Sequence, residues 1–148
     1  MVELGPGTGC VTRALLQRLR PDARLVAVEI NPRFVEEVRR NIDDTRLQVV
    51  QGCATDLSVI LRQVGLGPVD CVVSVMPFAS LPPALRAGVM DAVCSGLRPG
   101  GIFVAIQYTA LVMPKLLEEH IGGYRVKRSW LNIPPALIYT CARSDNGS

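Results

Sequence analysis

The sequence predicts an α/β protein: a doubly wound, mostly parallel seven-stranded sheet that ends in a C-terminal antiparallel hairpin. Three observations carry this. Short β-branched runs alternate with helical apolar periods through five successive βα units. A glycine-rich loop, Gly5-Pro6-Gly7-Thr8-Gly9, sits between the first strand and the first helix. The last two apolar runs are separated only by Asn132-Ile133-Pro134-Pro135, too little chain for a crossover helix, so they pair antiparallel. At 148 residues the chain makes one domain, expected over 1–143, with 144–148 as a flexible tail.

The elements follow in order. Met1–Leu4 is a strand end, shorter than the strand that normally opens such a sheet, so the N-terminus reads as clipped. Cys10–Leu19 is a helix with Val11, Ala14, Leu15 and Leu19 on its apolar face. Leu25–Glu29 is the second strand. Asn31 then caps a helix with Pro32 at its first position and Phe34, Val35, Val38 and Ile42 as the buried stripe. Leu47–Gln51 is the third strand. Asp56 caps a short helix carrying Leu57, Ile60, Leu61 and Val64. Val69–Val75 is almost wholly apolar, as a central parallel strand should be. Pro82-Pro83 opens a helix with Leu85, Val89, Val93 and Leu97. Arg98-Pro99-Gly100-Gly101 reads as a turn and Ile102–Tyr108 as the fifth strand. A helix around Pro114–Ile121 precedes the hairpin strands Tyr124–Leu131 and Ala136–Ala142.

Composition excludes several classes of function. No apolar run approaches the ~18 residues needed to cross a bilayer, and no basic start with an apolar stretch marks secretion. Sixteen basic against thirteen acidic residues give a net charge of +3, too mild a balance to imply nucleic acid by itself. The five cysteines (Cys10, Cys53, Cys71, Cys94, Cys141) lie far apart without a C-x-x-C pair. They read as reduced, buried thiols of a cytoplasmic protein. With a single histidine, His120, no metal site is expected. That histidine reads as a helix C-terminal cap, and Trp130 and Tyr139 as core or edge packing.

The loop identifies the ligand chemistry. A dinucleotide fingerprint spaces its glycines G-x-G-x-x-G and seats a diphosphate on the helix N-terminus. Here the spacing is G-x-G-x-G, and Glu3 stands at the strand end beside it. A carboxylate there repels phosphate and attracts a cation. S-adenosylmethionine carries an ammonium and a sulfonium and no phosphate, so the electrostatics favour it. Glu29 ends the second strand, where a carboxylate can accept hydrogen bonds from both ribose hydroxyls.

These residues carry a family resemblance. Glu3–Gly9 (ELGPGTG), Val28–Pro32 (VEINP) and Leu97–Gly101 (LRPGG) resemble a class I S-adenosylmethionine-dependent methyltransferase with a Rossmann-like sheet. Glu3–Thr12, Val73–Pro77 (VSVMP), Gln107-Tyr108 and Asn132–Ala136 are similar, more closely, to bacterial phospholipid N-methyltransferases, which methylate phosphatidylethanolamine stepwise toward phosphatidylcholine. The resemblance implies that Glu3, Gly5, Pro6, Gly7, Thr8 and Gly9 surround the methionine part of the cofactor. Glu29 would hold the ribose and Ile30 would pack on adenine. The third-strand motif usually reads Gly-Asp-Ala, the aspartate receiving the adenine amine; here it is Gly52-Cys53-Ala54, which leaves recognition to backbone at Cys53 and Ala54 or lowers affinity.

In this fold the acceptor site follows the fourth strand, at Ser74-Val75-Met76-Pro77-Phe78. Enzymes that methylate the adenine amine carry Asn or Asp where this chain has Val75, so a planar nucleobase acceptor is disfavoured. Phe78 is read either as a ring against a cationic head group or as core packing. Ser74 either orients the acceptor or satisfies backbone, and Met76 lines the cofactor. Tyr108 either handles the amine's proton or is a rim tyrosine. Asn132 is either a turn residue or a ligand contact. The expected function is N-methylation of phosphatidylethanolamine or another amine acceptor. Related enzymes reach the inner membrane face peripherally, through a basic amphipathic N-terminal segment that is missing here. Two alternatives stay open: a ribosomal RNA adenine N6-methyltransferase, and a non-catalytic fragment that binds S-adenosylmethionine.

Overall fold

A computed structural model describes residues 1–131 and 135–144. The strands are β1 (Val2–Leu4), β2 (Leu25–Glu29), β3 (Leu47–Gln51), β4 (Val69–Ser74), β5 (Leu97–Gln107), β6 (Tyr124–Ser129) and β7 (Ala136–Ala142). The helices are α1 (Cys10–Arg18), α2 (Pro32–Asn41), α3 (Leu57–Gln63), α4 (Pro83–Gly96) and α5 (Met113–His120). The seven strands form one sheet in the order β3-β2-β1-β4-β5-β7-β6. Strands β1 to β5 are parallel, and β7 runs antiparallel between β5 and β6. This is the doubly wound, Rossmann-like sheet with a terminal hairpin that the sequence predicts. Asn132, Ile133, Pro134 and the last four residues lie outside the described residues, and with them the readings of Asn132 and of most of the tail.

The parallel centre explains why its strands are continuous apolar runs. Val2, Leu4, Val26, Val28 and Val72 are buried between helices packed on both faces. On one face, Leu57, Ile60, Val89, Met90 and Val93 of α3 and α4 pack with Phe78 and Phe103 into the main core. Each fully buried side chain of this size contributes roughly 1.5–3 kcal/mol. On the other side Val35 and Val38 of α2 close over Val49. Asn31 caps α2 through its side chain, which accepts from Arg33 N at 3.0 Å.

Six expectations are corrected. The buried positions of α1 are Thr12 and Leu16, with Ala14 exposed. The helix turns its hydroxyl inward because buried Glu3 needs a donor, and an apolar count misses that. Arg98–Gly101 is not a free turn but belongs to β5, where the register jumps between Val69↔Leu97 and Cys71↔Ile102. The extra residues bulge and are held by the end of β7, Gly100 N donating to Arg143 O and Arg143 N to Gly101 O. Asp56 occupies the cap position of α3 but makes no capping hydrogen bond. His120 does not cap α5; its Nδ1 lies 3.0 Å from Asp91 Oδ1 of α4. Trp130 is 71% exposed rather than packed, while Tyr139 is buried edge-on to Tyr124. The cysteines are free, yet only Cys141 is fully buried and Cys10 is exposed.

Two anchors fix α1. Its start follows Gly9 directly, and Thr12 ties it to β1. Its end is gripped by Arg46, whose guanidinium donates to Leu16 O (2.9 Å) and Leu19 O (2.8 Å) while pairing with Asp44.

Candidate active site

In open α/β sheets a ligand sits beyond the carboxyl ends of the strands, where the strand order reverses. Here that point lies between β1 and β4. A cleft of about 370 Å³ opens there, lined by Gly5 and Gly7 after β1, Glu29 and Ile30 at the end of β2, and Gly52, Cys53 and Ala54 after β3. Val75, Met76 and Pro77 after β4 and Leu85 and Val89 of α4 form the opposite wall. A wider hollow, about 500 Å³, lies against the amino ends of the strands at Met1, Arg24 and Asp70, away from every carboxyl-end loop. The smaller cleft is therefore the candidate site.

Glycine chemistry shapes its floor. Gly7 has φ 55°, and a Cβ there would meet nothing within 4 Å, so the loop leaves room on the cleft side for a ligand to approach backbone. Gly9 has φ 85°, and a Cβ there would meet Ile42 Cδ1 at 2.9 Å. Pro6, Thr8 and Gly9 lie behind the cleft lining and build the turn, with Gly9 N donating to Pro6 O at 2.9 Å. Gly9→Ala is expected to lower stability by about 1–2 kcal/mol through left-handed backbone strain and the displaced Ile42. Urea unfolding, read at the midpoint, checks this.

Two carboxylates stand beside the loop. Glu29 is buried; one oxygen accepts Gly7 N (3.2 Å) and the other Asn31 N (3.0 Å), so it ties the glycine loop to the start of α2. Glu3 is fully buried. Its Oε2 accepts the Thr12 hydroxyl at 2.6 Å, and its Oε1 has no partner. Burial pushes the Glu3 carboxyl from its ordinary value of 4.5 up to about 7; the Thr12 hydrogen bond works against this and the Glu29 charge adds to it.

The sequence-predicted residues divide. The structure brings Gly5, Gly7, Glu29, Ile30, Cys53, Ala54 and Met76 to one cleft. The Cys53 thiol accepts the Thr55 hydroxyl at 3.0 Å, so at the β3 end a sulfur stands where a carboxylate is usual. Ser74 is buried and accepts Met76 N at 3.3 Å. Phe78 is fully enclosed in the core, and Tyr108 is half-exposed just past the end of β5; neither lines the cleft. Two residues fall within the motifs quoted above but have no role assigned there. Thr12 is Glu3's donor. Gln107 is buried at the end of β5, and its carboxamide donates to Met76 O (2.8 Å) and accepts Phe78 N (3.2 Å), pinning the wall after β4. A polar residue closing the apolar run IFVAIQ was the available signal for Gln107. Among the described residues no cluster of three metal-ligating side chains exists.

The fold, the glycine loop and the paired carboxylates define a binder of a cationic nucleoside, the donor class of methyl transfer. Gly7 leaves the approach open to that ligand, and behind the loop, off the cleft lining, the enclosed Glu3 carboxylate keeps one oxygen without a partner. Residues 1–101 match the family described as methyltransferase domain, and the chain belongs to it. It is an S-adenosylmethionine-dependent methyltransferase. The ornithine lipid N-methyltransferase of Singulisphaera acidiphila is 33% identical over 95% of this chain and 74% of its own length. The carboxy-S-adenosyl-L-methionine synthase of Trichlorobacter lovleyi is 31% identical over 80% of this chain and 48% of its own. The N-methyltransferase NodS from Bradyrhizobium japonicum shares the fold, with a TM-score of 0.77 at 14% identity, covering 97% of this chain and 84% of that one.

Proposed function

We propose that this enzyme transfers a methyl group to the primary amine of an amino-lipid head group. The observation that carries the reading is the acceptor wall: Val75, Met76, Pro77, Leu81 and Leu85 are apolar, and among the described residues Glu29 is the only ionisable side chain along the cleft apart from the Cys53 thiol. Such a wall has no side-chain amide or carboxylate to receive the N–H groups of a nucleobase. It does desolvate an aliphatic ammonium, which lowers that group's pKa and frees the lone pair. The ornithine lipid N-methyltransferase supports a lipid amine as the acceptor.

The cofactor supplies an electrophilic methyl group on its sulfonium. Glu3, Gly5 and Gly7 would hold its methionine end, Glu29 its ribose, and Ile30, Cys53 and Ala54 its base. Gln107 keeps the Met76–Phe78 wall in place, a wall that would orient the amine toward the methyl group, and such orientation supplies much of the rate. Ser74 and Phe78 support that wall from behind, through the Met76 amide and the core. Tyr108 stands at the rim to pass the amine's proton to water.

The test offers labelled cofactor with vesicles of ornithine lipid, vesicles of phosphatidylethanolamine, and unmodified ribosomal RNA. Label is expected in an amino-lipid, and the two vesicle arms decide between ornithine lipid and phosphatidylethanolamine. Label confined to RNA overturns the reading. Cofactor binding without transfer in any arm returns the chain to a non-catalytic binder.

A further inference from the structure

Beside Tyr108, the carboxyl-end rim carries exposed apolar side chains that the proposed transfer step does not use. Of the exposed large apolar side chains, Tyr108 and Leu111 follow β5, and Trp130 and Leu131 follow β6. Leu111 is 84%, Trp130 71% and Leu131 96% exposed. Strands β5 and β6 flank β7, with Gln107 opposite Leu137 and Ser129 opposite Ala136, so both ends lie at one height, ~10 Å apart. The patch therefore shares its edge of the sheet with the mouth of the cleft.

Its charge has one sign. The three segments that frame it, 75–82, 108–114 and 124–131, contain Arg125, Lys127 and Arg128 and no Asp or Glu. Arg128 lies over the Trp130 ring, its Cζ 5.3 Å from the centroid, so cation and aromatic face are presented together. Strand β6 is an outer strand of the sheet, and its basic residues discourage edge pairing with another chain. Aromatic and aliphatic side chains bordered by Lys and Arg match the chemistry of a membrane interface. No described helix is long and apolar enough to cross a membrane, so contact of this kind is peripheral.

We propose that this rim docks on an anionic lipid bilayer, with Leu111, Trp130 and Leu131 in the boundary between head groups and acyl chains and Lys127 and Arg128 against anionic head groups. The inference deepens the amino-lipid reading and rests on it, because docking here sets the cleft mouth over its substrate. It also differs from the sequence expectation, which gave membrane contact to a segment before the first strand.

The test is flotation of the full chain with phosphatidylcholine vesicles and with vesicles of phosphatidylcholine mixed with phosphatidylglycerol. Binding is expected only to the mixed vesicles, weakening as salt rises. Lys127→Gln and Arg128→Gln should each weaken it about fivefold. Trp130→Ala with Leu131→Ala should abolish flotation while leaving S-adenosylhomocysteine binding by calorimetry unchanged. Equal flotation of wild type and these variants, or none with mixed vesicles at low salt, overturns the proposal. So does a rim-dependent dimer in light scattering, or rim-dependent retention on an RNA oligonucleotide in place of vesicles. A short-chain, water-soluble amino-lipid separates the two readings. Transfer to it unchanged by the rim variants keeps the acceptor, whereas flotation without any transfer sinks the acceptor and leaves the docking surface.

Discussion

Glu29→Ala is expected to weaken S-adenosylmethionine binding by more than about 100-fold, measured by calorimetry at neutral pH. Two losses combine. A carboxylate that accepts two ribose hydroxyls makes charge-assisted bonds, each worth ~1.5–3 kcal/mol. The same side chain holds Gly7 N and Asn31 N, so its removal also frees the glycine loop from the start of α2. Glu29→Gln keeps an acceptor for one of those amides and should fall between the two. Glu29 is buried at the end of β2, so a urea midpoint for each variant separates lost binding from lost stability. Wild-type affinity in Glu29→Ala would remove the ribose role.

Glu3→Gln is expected to raise the stability of the ligand-free protein above pH 7 and to cripple cofactor binding. The sign follows from proton linkage. The Glu3 carboxyl holds its proton in the folded state up to about pH 7, whereas in the unfolded chain it releases it near 4.5. The folded state therefore binds more protons between those values, and stability falls as pH rises through that window. The stabilisation is fully present below pH 4.5 and lost as pH passes about 7. A displacement of this size corresponds to about 3 kcal/mol above the window, which Gln, having no charge to bury, does not lose. Comparing urea midpoints of wild type and Glu3→Gln at pH 5 and pH 8 checks this: little difference at the lower pH, a more stable variant at the higher. A cation bound beside the loop favours the ionised form. Cofactor binding near pH 6.5 should then release protons, seen as a buffer-dependent heat; a buffer-independent heat would contradict it.

Much of this was legible in the sequence. Leu25–Glu29, Leu47–Gln51 and Ala136–Ala142 are β-branched or apolar runs bounded by polar residues, and they are strands over those same residues. The glycine loop and Glu29 were readable because a strand-to-helix turn needs its special backbone within a few positions. Thr12 and Gln107 were not, because each acts on a residue brought near only by folding: Thr12 on Glu3, and Gln107 on Met76 and Phe78 across the sheet. The bulged start of β5 escaped for the same reason, since its glycines pair with Arg143 at the far end of the chain. Glu3 was visible as an acid beside the loop; its complete enclosure depends on α1 turning Thr12 inward.

The Gln107 carboxamide has a geometric consequence. It fastens the wall after β4 to the last residue of β5, and that residue is laddered to Leu137 of the terminal hairpin. The hairpin and the wall after β4 are thus tied together by hydrogen bonds through one residue. On the docking proposed above, a sheet so joined would set the distance from the bilayer surface to the cleft, and with it which head-group amines come within range.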